Sequence, residues 1–157
     1  IVKDQFGFIL HHRVMEKETD DKVAIPIIDE TKERFDKLTS CSFDKGFHSP
    51  DNQKELAQIL DRVILPRKGK LSAINKEIEN SEEFKDARRK HSAVESSINA
   101  LENHGLDRCL DHGLKGFKRY VALAVLARNI QIIGHIHQQK ELKRQQGLEK
   151  RLHKKAA

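Results

Sequence analysis

Between Leu38 and Leu65 the chain reads strand, helix, strand, and this triple constrains its fold most. Leu38-Thr39-Ser40-Cys41-Ser42-Phe43 is small, β-branched or apolar and halts at Asp44-Lys45-Gly46, as a short central strand does. Ser49-Pro50 supplies a cap and a proline at the first helical position, and Leu56, Ile59 and Leu60 then form a buried stripe. Arg62 to Leu65 gives another short strand. Such a crossover belongs to a sheet covered by helices.

The flanking segments extend the pattern. Phe8 to Met15 alternates two faces after the turn-like Lys3-Asp4-Gln5-Phe6-Gly7, which predicts the end of one strand, a hairpin and a second strand. The acidic run Glu16 to Asp21 can cap a helix over Val23 to Phe35, with Ile27, Ile28, Thr31 and Phe35 on one face and Pro26 in the first turn. Pro66 to about Glu79 reads as a basic loop with room for a helical turn. Phe84, Ala87, His91, Val94, Ile98 and Leu101 have helical spacing, and Gly105 can stop that helix.

Phe117 to Ile136 reads as a second, mostly buried helix; Lys118, Arg119, Arg128, Asn129 and Gln131 interrupt it and argue against a membrane span. Beyond His137 the chain is Gln-rich and basic, a frayed helix or a tail. The expected architecture is α/β, a mixed sheet with flanking helices: one domain over residues 1–136, then a basic tail over 137–157. With 157 residues there is room for one core. The chain opens at Ile1 and its single methionine is Met15, so it is expected to be the downstream part of a longer protein.

Charge is unevenly held. Residues 115–157 carry 11 Lys/Arg against 2 Asp/Glu, whereas residues 1–114 carry 19 against 22. A block of that kind binds a polyanion or stays solvated. Cys41 and Cys109 are far apart and form no CxxC pair, which suits a reducing cytosol.

Two acids stand out. Asp44 falls at a strand end, where open α/β sheets collect ligands, although an Asp two places before a Gly is also ordinary turn chemistry. Glu95 lies on a helix beside Arg88, His91, Ser92, Asn99 and Glu102, a grouping that suits a metal near phosphates, a solvated face, or a capping box with Ser92. Zinc is a weaker reading: His104, Cys109 and His112 share one stretch without the paired motifs that four ligands need.

The segments Cys41-Ser42-Phe43-Asp44-Lys45-Gly46-Phe47-His48-Ser49-Pro50, Val63-Ile64-Leu65-Pro66-Arg67-Lys68-Gly69, His91 to Glu102 and His104 to Arg108 resemble bacterial insertion-sequence transposases of the DDE type, near the ISNCY-like group. Gly116 to Leu123 and Ala127-Arg128-Asn129-Ile130 resemble that family's C-terminal helix. The resemblance implies a ribonuclease-H-like fold, N-terminally incomplete here, and a triad of acids that holds Mg2+ or Mn2+ for phosphodiester cleavage and strand transfer. Two such ions ~3.5–4 Å apart would serve the attacking and leaving oxygens.

Asp44, in Asp-x-Gly-aromatic, matches the second acid of the triad and Glu95 the third. The first acid lies on a strand upstream of the hairpin; Asp4 matches the hairpin turn instead. The resemblance thus implies that this chain alone is inactive. Its implied partners are transposon-end and target DNA, and further copies of itself in a transposition complex within the bacterial cytoplasm, associated with the nucleoid. Lys45, Arg67, Lys68, Lys70, Arg88, Arg89, Lys90, His91, Lys118 and Arg119 are the cations expected to meet DNA. Relatives often place Tyr, Arg and Lys around the catalytic Glu where this chain has Arg88, His91 and Glu102; a glutamate cannot make the lysine's phosphate contact. The alternative function is a non-catalytic nucleic-acid-binding module that uses the basic C-terminal segment.

Overall fold

The computed structural model describes residues 1–91 and 93–156, with the side chains of Lys90, His91, Ala93, Glu95, His104 and residues 154–156 outside the description. The chain opens on an antiparallel pair, β1 (Val2–Lys3) and β2 (Ile9–His11). Asp4 organises the turn between them: its carboxylate accepts the Phe6 and Phe8 N–H groups at 2.9 and 2.8 Å. Gly7 closes that turn with φ of 98°, a conformation that favours glycine.

The helix α1 (Asp20–Lys32) starts three residues earlier than the apolar spacing predicts. Asp20 and Asp21 therefore occupy its first turn, where the positive end of the helix dipole favours them. Pro26 consequently falls in the second turn, where it removes the N–H that would bond to Lys22. Val23, Ala24, Ile27, Ile28 and Thr31 form the buried face, but Phe35 lies beyond the helix end and is 40% exposed. The alternation beyond His11 does not continue as strand. Arg13 is fastened instead to Glu18 and Glu30, and His11 Nε2 lies 2.8 Å from Glu30, so side chains tie this segment to α1.

The predicted crossover is present. β3 (Ser40–Ser42) pairs in parallel with β4 (Arg62–Ile64), Cys41 opposite Val63, and α2 (Pro50–Ile59) connects them. Ser49 caps α2 by accepting the Asn52 N–H at 3.1 Å, with Pro50 in the first turn. Lys32 Nζ donates to the Ile59 carbonyl at 2.7 Å, which ties the end of α2 to α1.

Among the described residues there are two two-stranded sheets instead of one mixed sheet. The strands are two or three residues long, and no ladder links β1 to β3. They nonetheless share a core: Val2 of β1 is buried in one cluster with Ile27, Ile28, Phe43, Leu56 and Leu65.

Helices complete the chain. The segment expected to be a basic loop holds α3 (Ala73–Asn80), started by Ser72, whose hydroxyl accepts the Asn75 N–H at 3.3 Å. The helical spacing from Phe84 to Leu101 is covered by α4 (Glu82–His91) and α5 (Ala93–Leu101), on either side of Ser92, which lies outside the described residues. A π-helical turn, Glu102–Leu106, follows, and there Gly105 has φ of 97°. Tyr120 donates to the Gly105 carbonyl at 3.1 Å and so fixes that turn against α6 (Gly113–Ala156). α6 is one continuous helix of 44 residues that takes in the segment read as a frayed helix or tail. Val121, Ala124 and Val125 bury it against Ile9 and Leu101 in a second cluster. Among the described residues no helix is long and apolar enough to cross a membrane.

Candidate active site

Asp44 stands two residues past the end of β3, after the buried Phe43, and precedes a 3-10 turn over Lys45–Phe47. An aspartate at that position ordinarily caps the turn through its carboxylate. Here the backbone alone closes it: the Asp44 carbonyl accepts the Phe47 N–H at 3.1 Å, and the carboxylate makes no cap bond. The side chain is exposed and has no hydrogen-bond or ion-pair partner among the described residues. Asp4 is the contrast, since both of its contacts are those of a turn-forming residue.

Three elements hold the turn in place. Asn52, on the first turn of α2 and only 7% exposed, donates from its amide to the Phe47 carbonyl at 2.8 Å and to the Asp21 carbonyl at 2.7 Å. One side chain thus joins the turn, α1 and α2. Gly46 meets the start of α1 so closely that a Cβ there would lie 2.5 Å from Asp20 Oδ2. Its glycine serves close approach, because only Gly7, Gly69, Gly105 and Gly113 have positive φ.

From the loop after β4, Lys68 Nζ donates to the Gly46 carbonyl at 2.7 Å, and its backbone N–H donates to His48 Nδ1 at 3.3 Å. Burial and the neighbouring Arg67 and Lys68 charges hold the His48 pKa below its ordinary value, which keeps Nδ1 free to accept. The Asp21 carboxyl is also lowered, first by a hydrogen bond from the Thr19 side chain and to a smaller degree by Lys68. Glu79 of α3 accepts the Arg67 N–H at 2.9 Å, which fixes the base of the same loop. Asn52, Asp20, His48 and Glu79 were not singled out in the sequence; their roles rest on contacts across elements, and only the cap at Ser49 hinted at Asn52.

The other expected residues divide by position. Lys45, Lys70 and Arg88 are exposed, and Arg67 is half-buried beside the turn. Arg89 pairs with Asp86 three residues earlier on α4 at 2.9 Å. Lys118 and Arg119, on α6, are engaged by Glu16 at 2.8 Å and Asp111 at 2.9 Å. The side chains of Glu95, Lys90 and His91 lie outside the described residues, so the convergence of Asp44 with Glu95 does too. The backbone at Glu95 belongs to α5, which packs against α4, α6 and the π turn, while α4 packs against β3 and β4.

An uncommitted carboxylate at a strand end is the donor type that a hard divalent cation takes, and Asp44 fits it. Among the described residues there is no cluster of three or more His, Cys, Asp or Glu side chains able to hold a metal.

A family model described as transposase DDE domain matches residues 1–130, which include both strand pairs, the Asp44 turn and the first part of α6. No curated protein and no solved structure matches the chain. With most of its length covered by that match, the chain belongs to the transposase DDE domain family.

Proposed function

We propose that the chain is the C-terminal part of a ribonuclease-H-like catalytic domain that cleaves and transfers DNA strands at insertion-sequence ends, acting in the bacterial cytoplasm at the nucleoid. On this reading residues 1–136 are catalytic domain and 137–157 a basic extension. Asp44 and Glu95 are two of three carboxylates that hold Mg2+ or Mn2+. When bound, the cation supplies the positive charge that a phosphodiester needs as its leaving oxygen departs.

The observation that carries the reading is the unused Asp44 carboxylate. A residue serving only the turn would spend its side chain on the turn, as Asp4 does. The chain's own residues supply the rest: Asn52 and Lys68 set the position of the turn, while Lys45, Arg67 and Lys70 offer charge to phosphates beside it. The remaining acid, the first of the triad, belongs on a strand upstream of β1. Such a strand would join the two sheets across the core that they share, giving the mixed sheet of the ribonuclease-H-like fold.

The test uses residues 1–157 and a longer chain that restores the upstream strand. The longer chain should cut transposon-end DNA in Mg2+ or Mn2+, and residues 1–157 should not. Asp44→Asn and Glu95→Gln should each abolish cutting while leaving DNA binding and thermal unfolding within error. Activity that survives either substitution removes the mechanism; DNA binding without metal-dependent cleavage by the longer chain favours the nucleic-acid-binding module.

A further inference from the structure

α6 buries one face and leaves the opposite one bare. Val121, Ala124 and Val125 enter the core, and Asn129 and Ile132 meet the hairpin. Leu123, Leu126, Ile130 and Ile133 are 63, 55, 58 and 57% exposed. Their 3-4-3 spacing lines them up along one stripe, the a and d positions of a helix-pairing seam. At about 100 Å² each they present roughly 400 Å² of apolar surface, the extent at which a patch marks an interface. The residues beside the stripe, Ala122, Ala127 and Gly134, are small and exposed, so another helix can approach closely.

The pattern is also its own complement. Followed along the same face, the seam is preceded by Lys115 and Arg119 and followed by His137 and Glu141. Reversed about residue 128, Leu123 falls on Ile133, Leu126 on Ile130, Arg119 on His137, and Lys115 on Glu141. Apolar positions meet apolar ones, and the outermost pair brings opposite charges together. A parallel pairing would set Lys115 against Lys115 and Arg119 against Arg119, which like-charge repulsion disfavours.

We propose that two copies of this chain pair through α6 in antiparallel fashion, about a twofold axis at the level of residue 128. The interface is isologous, each copy giving Leu123 and Leu126 to the Ile133 and Ile130 of the other. Glu141 bonds to Arg144 on its own helix at 2.8 Å, an exposed pair weak enough for Glu141 to turn toward Lys115 of the other copy. A seam about 40 Å long, from residue 115 to 141, forms a small and reversible interface. The proposal rests on α6 alone and is independent of the chemistry assigned to Asp44.

Sedimentation equilibrium of the 157-residue chain should show a monomer–dimer equilibrium between about 5 and 200 μM. Leu126→Glu with Ile130→Glu should weaken dimerisation by more than roughly tenfold, with helical circular dichroism unchanged because both side chains are exposed. Leu126→Ser with Ile130→Ser gives a milder version should the charged pair disturb folding. Lys115→Glu should weaken the dimer, and adding Glu141→Lys should restore it. In a Cys109→Ser background, a mixture of Leu126→Cys and Ile130→Cys chains should form an intermolecular disulfide faster than either chain alone. A chain that stays monomeric throughout overturns the proposal and gives the face to another partner. A dimer indifferent to the glutamate pair, or a Leu126→Cys chain that crosslinks fastest to itself, overturns the surface or its antiparallel register.

Discussion

Gly46 shows how one missing methyl group lets a turn and a helix start lie in close contact. The turn after β3 rests against the start of α1, and a Cβ at Gly46 would stand 2.5 Å from Asp20 Oδ2, too close for any real contact. What it meets is the end of an exposed side chain, so the carboxylate would swing aside and the turn would survive. Gly46→Ala should therefore cost about 1 kcal/mol, well below the cost of a clash with backbone. Asp20→Ala should remove most of that penalty, because the two positions share one contact and their effects cannot add. Chemical denaturation of both single variants and the double variant measures the coupling. A Gly46→Ala penalty that persists without the Asp20 carboxylate would mean that the glycine answers to some other neighbour.

At the scale of elements, one side chain takes the place of a strand. Asn129 of α6 accepts the Ile9 N–H through Oδ1 at 2.9 Å and donates from Nδ2 to the Ile9 carbonyl at 2.9 Å, so the edge of β2 is satisfied by an amide. Asn129→Ala leaves both groups of Ile9 unpaired and should cost about 2–3 kcal/mol, and Asn129→Asp, which keeps the acceptor but sets a carboxylate oxygen against the Ile9 carbonyl, should cost at least as much. Thermal unfolding decides it, and an Asn129→Asp loss well below that of Asn129→Ala would count against a two-bond clamp. Nothing local to Asn129 announces this role, since its partner is 120 residues away.

The elements that were legible carried their own signals. Ser49-Pro50 declared the start of α2, and the break at Asp44-Lys45-Gly46 declared the end of β3. α3 was missed because it buries no side chain: Ile74 and Ile78 are 70 and 54% exposed, so there was no inward stripe to read, although the cap at Ser72 was visible. The continuation of α6 past His137 was likewise hidden by the absence of packing. Its Gln, Lys, Glu, Leu and Arg residues are strong helix formers, and Glu141 with Arg144 adds an i,i+3 pair. Asp44 was legible as a candidate from its place before a glycine. Its standing against the turn reading needed the structure, because only coordinates show that its carboxylate is not spent on the cap.

For the whole molecule the uneven charge becomes a question of shape. Most of the positive excess, 11 Lys/Arg against 2 Asp/Glu over residues 115–157, is carried by a single helix, so these cations stand on a rod and not on a coil. Near the start of that rod the charge is partly spent, Lys118 on Glu16 and Arg119 on Asp111. Toward its end, Lys140, Lys143, Lys150 and Arg151 are exposed, with no packing cluster around them. DNA affinity should therefore reside mainly in the distal part, where neutralised phosphates release counterions. Deleting residues 138–157 should leave the melting temperature within a few degrees, because both core clusters end before residue 126. The same deletion should weaken duplex binding and flatten the dependence of log K on log salt by about 0.9 for each phosphate that the shortened chain no longer neutralises. Binding isotherms at several salt concentrations measure that slope. An unchanged slope would move the DNA interface to Lys45, Arg67 and Lys70 beside the Asp44 turn, and leave the distal helix to solvent.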